Sequence, residues 1–159
     1  MLKIQTGPDN KILRTVCSTI WPKELKKYTT LGREMIKYIK APENGGIWLA
    51  APQVGITKRI IVVSLISDRE DKDEKPYQTV MMINPEILEF GNEKDREEEG
   101  CLSLPGMRGE VERPTSLKVK FTDKDGKTKT LFLEGLPARI VQHEVDHLNG
   151  VLFIDKLVS

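Results

Sequence analysis

The chain has 159 residues, a formal net charge of +1, 38% hydrophobic residues and 31% charged residues. This length suits one hydrophobic core, and this composition is typical of a globular rather than a disordered protein. The near-neutral charge predicts neither a nucleic acid nor an anionic membrane as a partner. The sequence lacks the run of roughly 20 apolar residues that a membrane helix needs, and its N-terminal residues lack the apolar run of a secretion signal. We therefore expect a cytoplasmic protein, or a mature form already trimmed, with a single domain at residues 1–159.

The first half of the chain contains one clear helix and one clear strand. Apolar residues recur at helical spacing in Leu25–Lys40, which follows Pro22 and is ended by Ala41-Pro42. Residues 59–66 are apolar and mostly β-branched, which predicts a buried strand. The charge run at residues 67–75 predicts a solvated loop rather than a binding tail.

The second half is richer in strands and ends in a helix. Residues 79–83 predict a strand that Asn84-Pro85 stops. Residues 117–121 and 130–133 flank an Asp-Gly pair and predict a β-hairpin. The last element is a helix at Leu136–Leu148, which has a proline in its first turn and an Asn-Gly pair at its end. The pattern predicts an α+β fold in which antiparallel sheet packs around this central helix.

The last predicted helix carries an H-E-x-x-H motif. His143 and His147 share one helical face, so both imidazoles can bind the same ion, and Glu144 at the edge of that face can exchange protons with a metal-bound water. Leu136 and Ile140 continue the stripe of both histidines, which predicts an inward-facing position. Paired histidines also occur on ordinary helices without a metal. However, the chain has only two histidines, and the intervening glutamate favours a divalent metal site.

A catalytic metal site normally needs a third protein ligand. The chain has no third histidine. An extended H-E-x-x-H-x-x-G-x-x-H motif would place one at position 153, where this chain has phenylalanine. The remaining candidates are Cys101, Cys17 and a carboxylate. The surroundings of Cys17 favour a small core residue, whereas Gly100 permits a close backbone approach beside Cys101.

Three short motifs follow one another along the chain. They are Gly-Ile-Trp-Leu-Ala-Ala-Pro-Gln at residues 46–53, Glu-Gly-Cys-Leu-Ser at 99–103 and Gln-His-Glu-Val-Asp-His at 142–147. Together they resemble the motifs G-x-G-x-A-A-x-Q, E-G-C-L-S and Q-H-E-x-D-H of peptide deformylases, and the resemblance extends over nearly the whole chain. Trp48 departs from it, because the family has glycine there. This side chain either changes the loop and narrows the cleft, or packs in the core or against the ligand.

The resemblance implies a metal-dependent hydrolase that removes the formyl group from the N-terminal formylmethionine of nascent polypeptides and releases formate. The implied metal ligands are Cys101, His143 and His147. Glu144 would be the general acid and base, while the side-chain amide of Gln53 and the backbone N–H of Leu102 would bind the oxyanion.

The ion and the partners follow from the same resemblance. A thiolate with two imidazoles suits Zn²⁺, Fe²⁺, Ni²⁺ or Co²⁺, and Fe²⁺ comes first because the family typically uses it in the cell. The partners would be the nascent formyl-Met peptide and the ribosome. Many bacterial deformylases continue into a C-terminal helix beyond the position of Ser159, so ribosome contact is left open.

The substrate would pair as an extended strand with the segment before Gln53, which includes Gly46 and Ile47. An apolar pocket for methionine would include Ile47 together with Leu136 and Ile140, although plain core packing explains the two helix residues equally well. Arg108 is either an anchor for the peptide backbone or a solvated surface residue. The carboxylate of Asp146 is either an orienting group near the metal or a solvated surface group.

Three other functions compete with this interpretation. A small zinc endopeptidase would use a third ligand other than Cys101. A non-enzymatic metal module would have four protein ligands and no need of Glu144. A degenerate deformylase that binds its ligand without turnover is suggested by Trp48.

Overall fold

The computed structural model describes residues 2–44, 48–66 and 77–158. Its helices are α1 (Leu25–Lys40) and α2 (Leu136–Leu148), and short 3₁₀ turns join several elements. The strands are β1 (Trp48–Ala50), β2 (Ile60–Ile66), β3 (Tyr77–Phe90), β4 (Lys94–Cys101), β5 (Leu104–Pro114), β6 (Ser116–Thr122) and β7 (Thr128–Glu134). The predicted loop at 67–75 lies outside the described residues, as do Gly46 and Ile47.

All strand pairs in the described residues are antiparallel. Five strands form one sheet in the order β1-β2-β3-β6-β7, so β1 is an edge strand, while β4 and β5 form a separate hairpin. Antiparallel sheets combined with helices confirm the predicted mixture of α and β structure. None of the helices in residues 2–44, 48–66 and 77–158 has the length and apolar character needed to cross a membrane.

The five-stranded sheet is covered on both faces by helices. On β2, Ile61 and Val63 pack in the hydrophobic cluster that includes the buried residues of α2. Ile60 and Val62 point the other way, into the cluster that includes the buried residues of α1. Strand side chains alternate between faces, so a strand covered on both sides needs a continuous apolar run. This explains why the apolar run at residues 59–66 predicted a buried strand correctly.

The β4–β5 hairpin was not predicted, and it is the element that carries Cys101. Its first strand is a run of charged residues without an apolar alternation, and most of those side chains are exposed. The hairpin is joined to the rest of the protein by a third apolar cluster, which contains Leu104 and Val111 together with Leu13, Leu152 and Phe153. The apolar residues against which this hairpin packs therefore lie far from it in sequence, so its own residues do not reveal it.

The prediction that Asn84-Pro85 stops a strand is wrong, because β3 continues through both residues to Phe90. The backbone of Asn84 takes a left-handed conformation with φ of 51°, and the register with β6 shifts between Ile83 and Glu86. The Asn84 side chain is fixed by Ile20, whose backbone N–H donates to Oδ1 at 2.9 Å and whose carbonyl accepts from Nδ2 at 2.8 Å. The irregularity is thus a bulge that accommodates a proline inside a strand.

The two predicted helices and the predicted hairpin are confirmed, although both strands of the hairpin are longer than predicted. Both helices have the predicted limits, and β6 and β7 pair as the predicted hairpin. The carboxylate of Asp123 closes that turn by accepting from the backbone N–H groups of Asp125 and Lys127, both at 2.9 Å. Gly150 ends α2 with φ of 73°, and a Cβ there would lie 2.5 Å from the carbonyl oxygen of Arg14.

We predict that Asn84→Ala lowers the free energy of unfolding by about 2 kcal/mol, because two hydrogen bonds are lost and alanine is strained at positive φ. Urea unfolding monitored by circular dichroism measures this change. Asn92→Ala, at an exposed position between β3 and β4, is the control and should change stability by less than about 0.5 kcal/mol. Equal effects of the two substitutions would show that the bulge does not depend on Asn84.

Candidate active site

The three predicted metal ligands lie together. The candidate ligand atoms of Cys101, His143 and His147 are all within 4.8 Å of one another, and Sγ of Cys101 is 3.3 Å from Nε2 of His147. Both histidines come from α2, one turn apart. Cys101 is the last residue of β4 rather than a loop residue, and Leu102 and Ser103 make the tight connection to β5.

The buried polar atoms at this point fit a divalent ion. Within the described residues, the buried side-chain nitrogen and oxygen atoms without a hydrogen-bond partner are His143 Nε2, His147 Nδ1 and both carboxylate oxygens of Glu144. Leaving such atoms unpaired is costly, so a group that binds them is expected. A thiolate and two imidazoles are ligands that Fe²⁺ and Zn²⁺ accept. The residues present therefore fit the metal that the motif predicted.

Burial controls the protonation of these ligands. It raises the pKa of the Cys101 thiol to about 12, and the nearby carboxylate of Glu144 acts in the same direction. Burial also holds the pKa of His147 well below its ordinary value, and the nearby ring of His143 and the guanidinium of Arg113 act in the same direction. A neutral imidazole is the form that binds a metal, and a coordinated thiol is deprotonated by the ion itself.

Glu144 is fully buried beside the ligands. Its Oε1 lies 3.9 Å from Nε2 of His143. Burial raises the pKa of this carboxyl well above its ordinary value, Arg113 opposes the rise, and the negative charges of Glu99 and Asp146 add to it. A carboxyl group with a raised pKa gains and releases a proton nearer to neutral pH, as a general acid and base must.

Glu99, two residues before Cys101, orients His143. Its Oε1 lies 2.9 Å from Nδ1 of His143, and Arg113 donates two hydrogen bonds to the same carboxylate at 2.7 and 2.9 Å. Burial opposes ionisation of Glu99, but the hydrogen bonds from His143 and Arg113 outweigh it and hold its pKa well below the ordinary range. An ionised Glu99 accepts from Nδ1–H and leaves the Nε2 lone pair of His143 for an ion.

Two buried arginines complete this arrangement. Arg139 of α2 donates to the second oxygen of Glu99 at 2.6 Å and to Asp95 at 2.7 Å. Arg113 donates to Asp146 at 2.9 Å, so Asp146 takes part in orienting neighbouring groups and is not simply solvated. The sequence did not predict Glu99, Arg113 or Arg139 as site residues. The sequence feature that could have identified Glu99 is its position as the first residue of the motif at 99–103.

Gln53 is buried with its amide directed at Cys101. Its Oε1 accepts from the backbone N–H of Ala50 at 2.9 Å, which fixes the orientation of the amide. Its Nε2 lies 3.6 Å from Sγ of Cys101 and 3.2 Å from Oγ of Ser103. The side chain therefore presents a donor next to the candidate metal ligands.

A cavity of about 540 Å³ opens beside His143 and Cys101. Several other predicted site residues line it, namely Leu102, Arg108, Leu136 and Ile140, and Trp48 lines it too. Ile140 is buried in the apolar cluster of α2 and also lines the cavity, whereas Leu136 is exposed and lines the cavity without joining that cluster, so its predicted inward-facing position is wrong. Arg108 lies at the mouth in an ion pair with Glu98.

Comparisons with known proteins agree over nearly the whole chain. The family model described as polypeptide deformylase matches residues 1–159. A peptide deformylase of Prochlorococcus marinus (strain MIT 9515) is 43% identical over 150 residues, which cover 94% of this chain and 70% of that protein. The similarity to this relative therefore extends well beyond the three motifs.

Solved structures share the fold as well. A probable peptide deformylase from Synechococcus phage S-SSM7 matches with a TM-score of 0.85 at 43% identity, covering 99% of this chain and 100% of that chain. A class I type b peptide deformylase from Acinetobacter baumannii, with Met-Ala-Ser bound, has a TM-score of 0.83 at 40% identity, covering 99% and 98%. Sequence and backbone thus point to the same set of relatives.

We predict that Arg113→Met lowers the free energy of unfolding by about 3–5 kcal/mol, because it leaves the buried carboxylate of Glu99 short of a partner. Arg96→Met is the matched control, since Arg96 pairs with Glu112 on the same hairpin at 3.1 Å but is exposed. Its loss should cost less than about 1 kcal/mol. Urea unfolding of both variants tests this, and comparable losses would contradict the importance of the buried pair.

We expect Cys101→Ala to bind its divalent ion at least about 100-fold more weakly, because a direct ligand matters at least as much as the groups that orient one. Metal content after anaerobic dialysis, measured by mass spectrometry, checks this. Cys17→Ala is the control, because Cys17 is the other free cysteine of the described chain and packs in the core. A Cys101→Ala protein that retains one ion per chain would exclude this cysteine as a ligand.

Proposed function

Since this chain belongs to the peptide deformylase family, whose members remove the N-formyl group from nascent chains, we propose that Glu144 is the general acid and base of that reaction. The proposed metal ligands are Cys101, His143 and His147. The observation that carries the assignment is the meeting of these three ligand groups beside a buried carboxyl that has no other partner among the described residues.

The family is metal-dependent, and for this chain we propose Fe²⁺ as the ion in the cell, with Zn²⁺, Ni²⁺ or Co²⁺ as alternatives that the same donors accept. A bound divalent ion supplies Lewis-acid chemistry, because it lowers the pKa of a water molecule and polarises a carbonyl group. The protein contributes the orientation of the ligands, chiefly through the contact of Glu99 with His143.

Glu144 moves the proton that hydrolysis requires. Its carboxylate accepts a proton as the oxygen of water bonds to the formyl carbon. The bond from that carbon to nitrogen then breaks, and the same carboxyl returns the proton to the departing amine. Formate and a free amino terminus are the products. The raised pKa of Glu144 suits both halves of this exchange, since the group must hold the proton between the two steps.

Two donors are proposed for the negative charge that develops on the formyl oxygen. The first is Nε2 of Gln53, whose amide is already oriented by the backbone N–H of Ala50. The second is the backbone N–H of Leu102, in the turn directly after Cys101. Donors held in advance stabilise the transition state without reorganising, and each typically contributes about 100-fold or more to the rate.

The substrate is proposed to bind as an added strand. Because β1 is an edge strand of the sheet, an extended peptide can pair with its open side through main-chain hydrogen bonds. Gly46 and Ile47, directly before β1, would extend this pairing. Leu136 and Ile140 would contact the methionine side chain, and Arg108 at the mouth would bind the peptide backbone. The bound Met-Ala-Ser of the A. baumannii relative supports a product-like tripeptide as a ligand.

We propose further that residues 1–159 act as one catalytic domain in which α2 is the central element. In support, α2 contacts β1, β2 and β7 of the large sheet and also β5 of the hairpin. The substrate is a nascent chain, so the cytoplasm is the proposed location and the ribosome a proposed partner.

We expect the Fe²⁺-loaded protein to release formate from formyl-Met-Ala-Ser under anaerobic conditions, and Glu144→Gln to lose about 100-fold or more of this activity because it cannot accept a proton. Formate release and metal content are measured on the same samples. Glu110→Gln, an exposed carboxylate of β5, is the control and should keep the wild-type rate.

Two results would reject the proposal. One is the absence of formate from wild-type protein with iron bound. The other is a Glu144→Gln variant that works as fast as wild type. Cleavage within unblocked peptides, assayed in parallel, would favour the competing endopeptidase function.

A further inference from the structure

We infer that Trp48 is a specificity-determining residue, which narrows the side-chain pocket so that it accepts long unbranched side chains and rejects aromatic ones. The inference deepens the proposed function, because it concerns the first side chain of the formylated peptide. It rests on where Trp48 lies in the fold and on what faces it across the cavity.

Trp48 lies on the α2 side of the large sheet. It is the first residue of β1 and pairs with Val63 of β2. Side chains alternate along a strand, so Trp48 points to the same face as Ala50 and opposite to Leu49. Ala50 belongs to the cluster that contains Ile140 and other buried residues of α2, whereas Leu49 packs in the cluster of α1. The indole therefore lies between the open edge of β1 and α2.

Trp48 belongs to the core and to the cavity at once. It is partly buried and packs against the cluster of α2, and it lines the cavity of about 540 Å³ together with Leu136 and Ile140. The indole of Trp48 therefore forms one wall of the cavity, because it packs against the core on one side and faces open space on the other. The wall stands directly beside the strand edge at which the peptide is proposed to pair, so the first side chain must pass it.

The chemistry of this wall favours a particular class of side chain. Glycine, which the family motif has at this position, leaves this side of the pocket open, whereas an indole supplies a large flat apolar surface there. A methionine side chain is unbranched and flexible, and its sulfur makes favourable contacts with aromatic rings. A phenylalanine ring is rigid and wider than a methionine chain, so we expect it to need the space that the indole fills. The pocket of this chain is therefore expected to be more selective than one with glycine at position 48.

The first test compares formyl-Met-Ala-Ser with formyl-Phe-Ala-Ser for the wild type, Trp48→Gly, Trp48→Leu and the control Trp21→Phe. Trp21 is the other tryptophan of the chain, and it is exposed directly before the 3₁₀ turn at Pro22–Glu24. In Trp48→Gly the preference for methionine, as a ratio of kcat/KM values, should fall by about tenfold. KM for the methionine substrate should rise about two- to tenfold, while kcat changes little.

The second test measures contact directly and needs no turnover. Trp21→Phe leaves Trp48 as the sole tryptophan, so addition of Met-Ala-Ser should shift or quench the emission of this variant. Trp48→Phe retains only Trp21, and its emission should not respond to the same peptide.

The outcomes separate the two ideas. A wild-type protein that releases no formate rejects the proposed function, and the emission of Trp48 then decides the inference alone: Met-Ala-Ser should change it, and equal changes with Met-Ala-Ser and Phe-Ala-Ser would overturn the role of Trp48. A wild-type protein that is active, together with an unchanged methionine preference in Trp48→Gly and Trp48→Leu, overturns the role of Trp48. If circular dichroism shows that Trp48→Gly is unfolded, the methionine preference of Trp48→Leu alone decides the role of Trp48.

Discussion

One buried carboxylate, Glu99, joins the parts of the protein on which the candidate site depends. It lies on β4 and contacts Arg113 of β5 and both His143 and Arg139 of α2, at distances of 2.6–2.9 Å. Removing a charge from water costs several kcal/mol unless it is fully paired, so alternative arrangements of these three elements are strongly disfavoured. Because Cys101 follows Glu99 by two residues, the same contacts that hold the hairpin against α2 also hold the sulfur near both imidazoles.

The helix α2 has one side in an apolar environment and the other in a polar one. On one side, Val141, Val145 and Leu148 pack into the apolar cluster of the large sheet. On the other side, His143 contacts Glu99 of the hairpin and Asp146 accepts a hydrogen bond from Arg113 of the hairpin. Apolar packing fixes the helix while the ion pairs fix its rotation and its distance from β4. A site whose ligands project from such elements is held more accurately than one built on loops.

Local signals in the sequence were sufficient where a short segment determines its own structure. The helix Leu136–Leu148 and the hairpin at Asp123 were predictable, because capping, periodicity and turn chemistry lie within a few residues. The bulge at Asn84 was not, since its stabilising partner is Ile20. The hairpin β4–β5 was missed for a similar reason. Its charged residues show no strand periodicity, and the ion pairs of Glu99 with Arg113 and Arg139 join residues that are far apart in sequence. The three candidate metal ligands lie together, as the motifs predicted, but the ion pairs beside them were not predicted.

The structure separates the groups proposed to perform the chemistry from those proposed to contact the first side chain. Glu99, His143 and Glu144 are at most 6% exposed, whereas Leu136 is 45% exposed. A substitution at the open wall of the cavity alters shape and apolar surface without removing a partner from a buried charge. Specificity can therefore vary within this fold while the groups proposed for proton transfer stay unchanged. A tryptophan at position 48, beside an otherwise unaltered set of motifs, is the kind of variation that this separation permits.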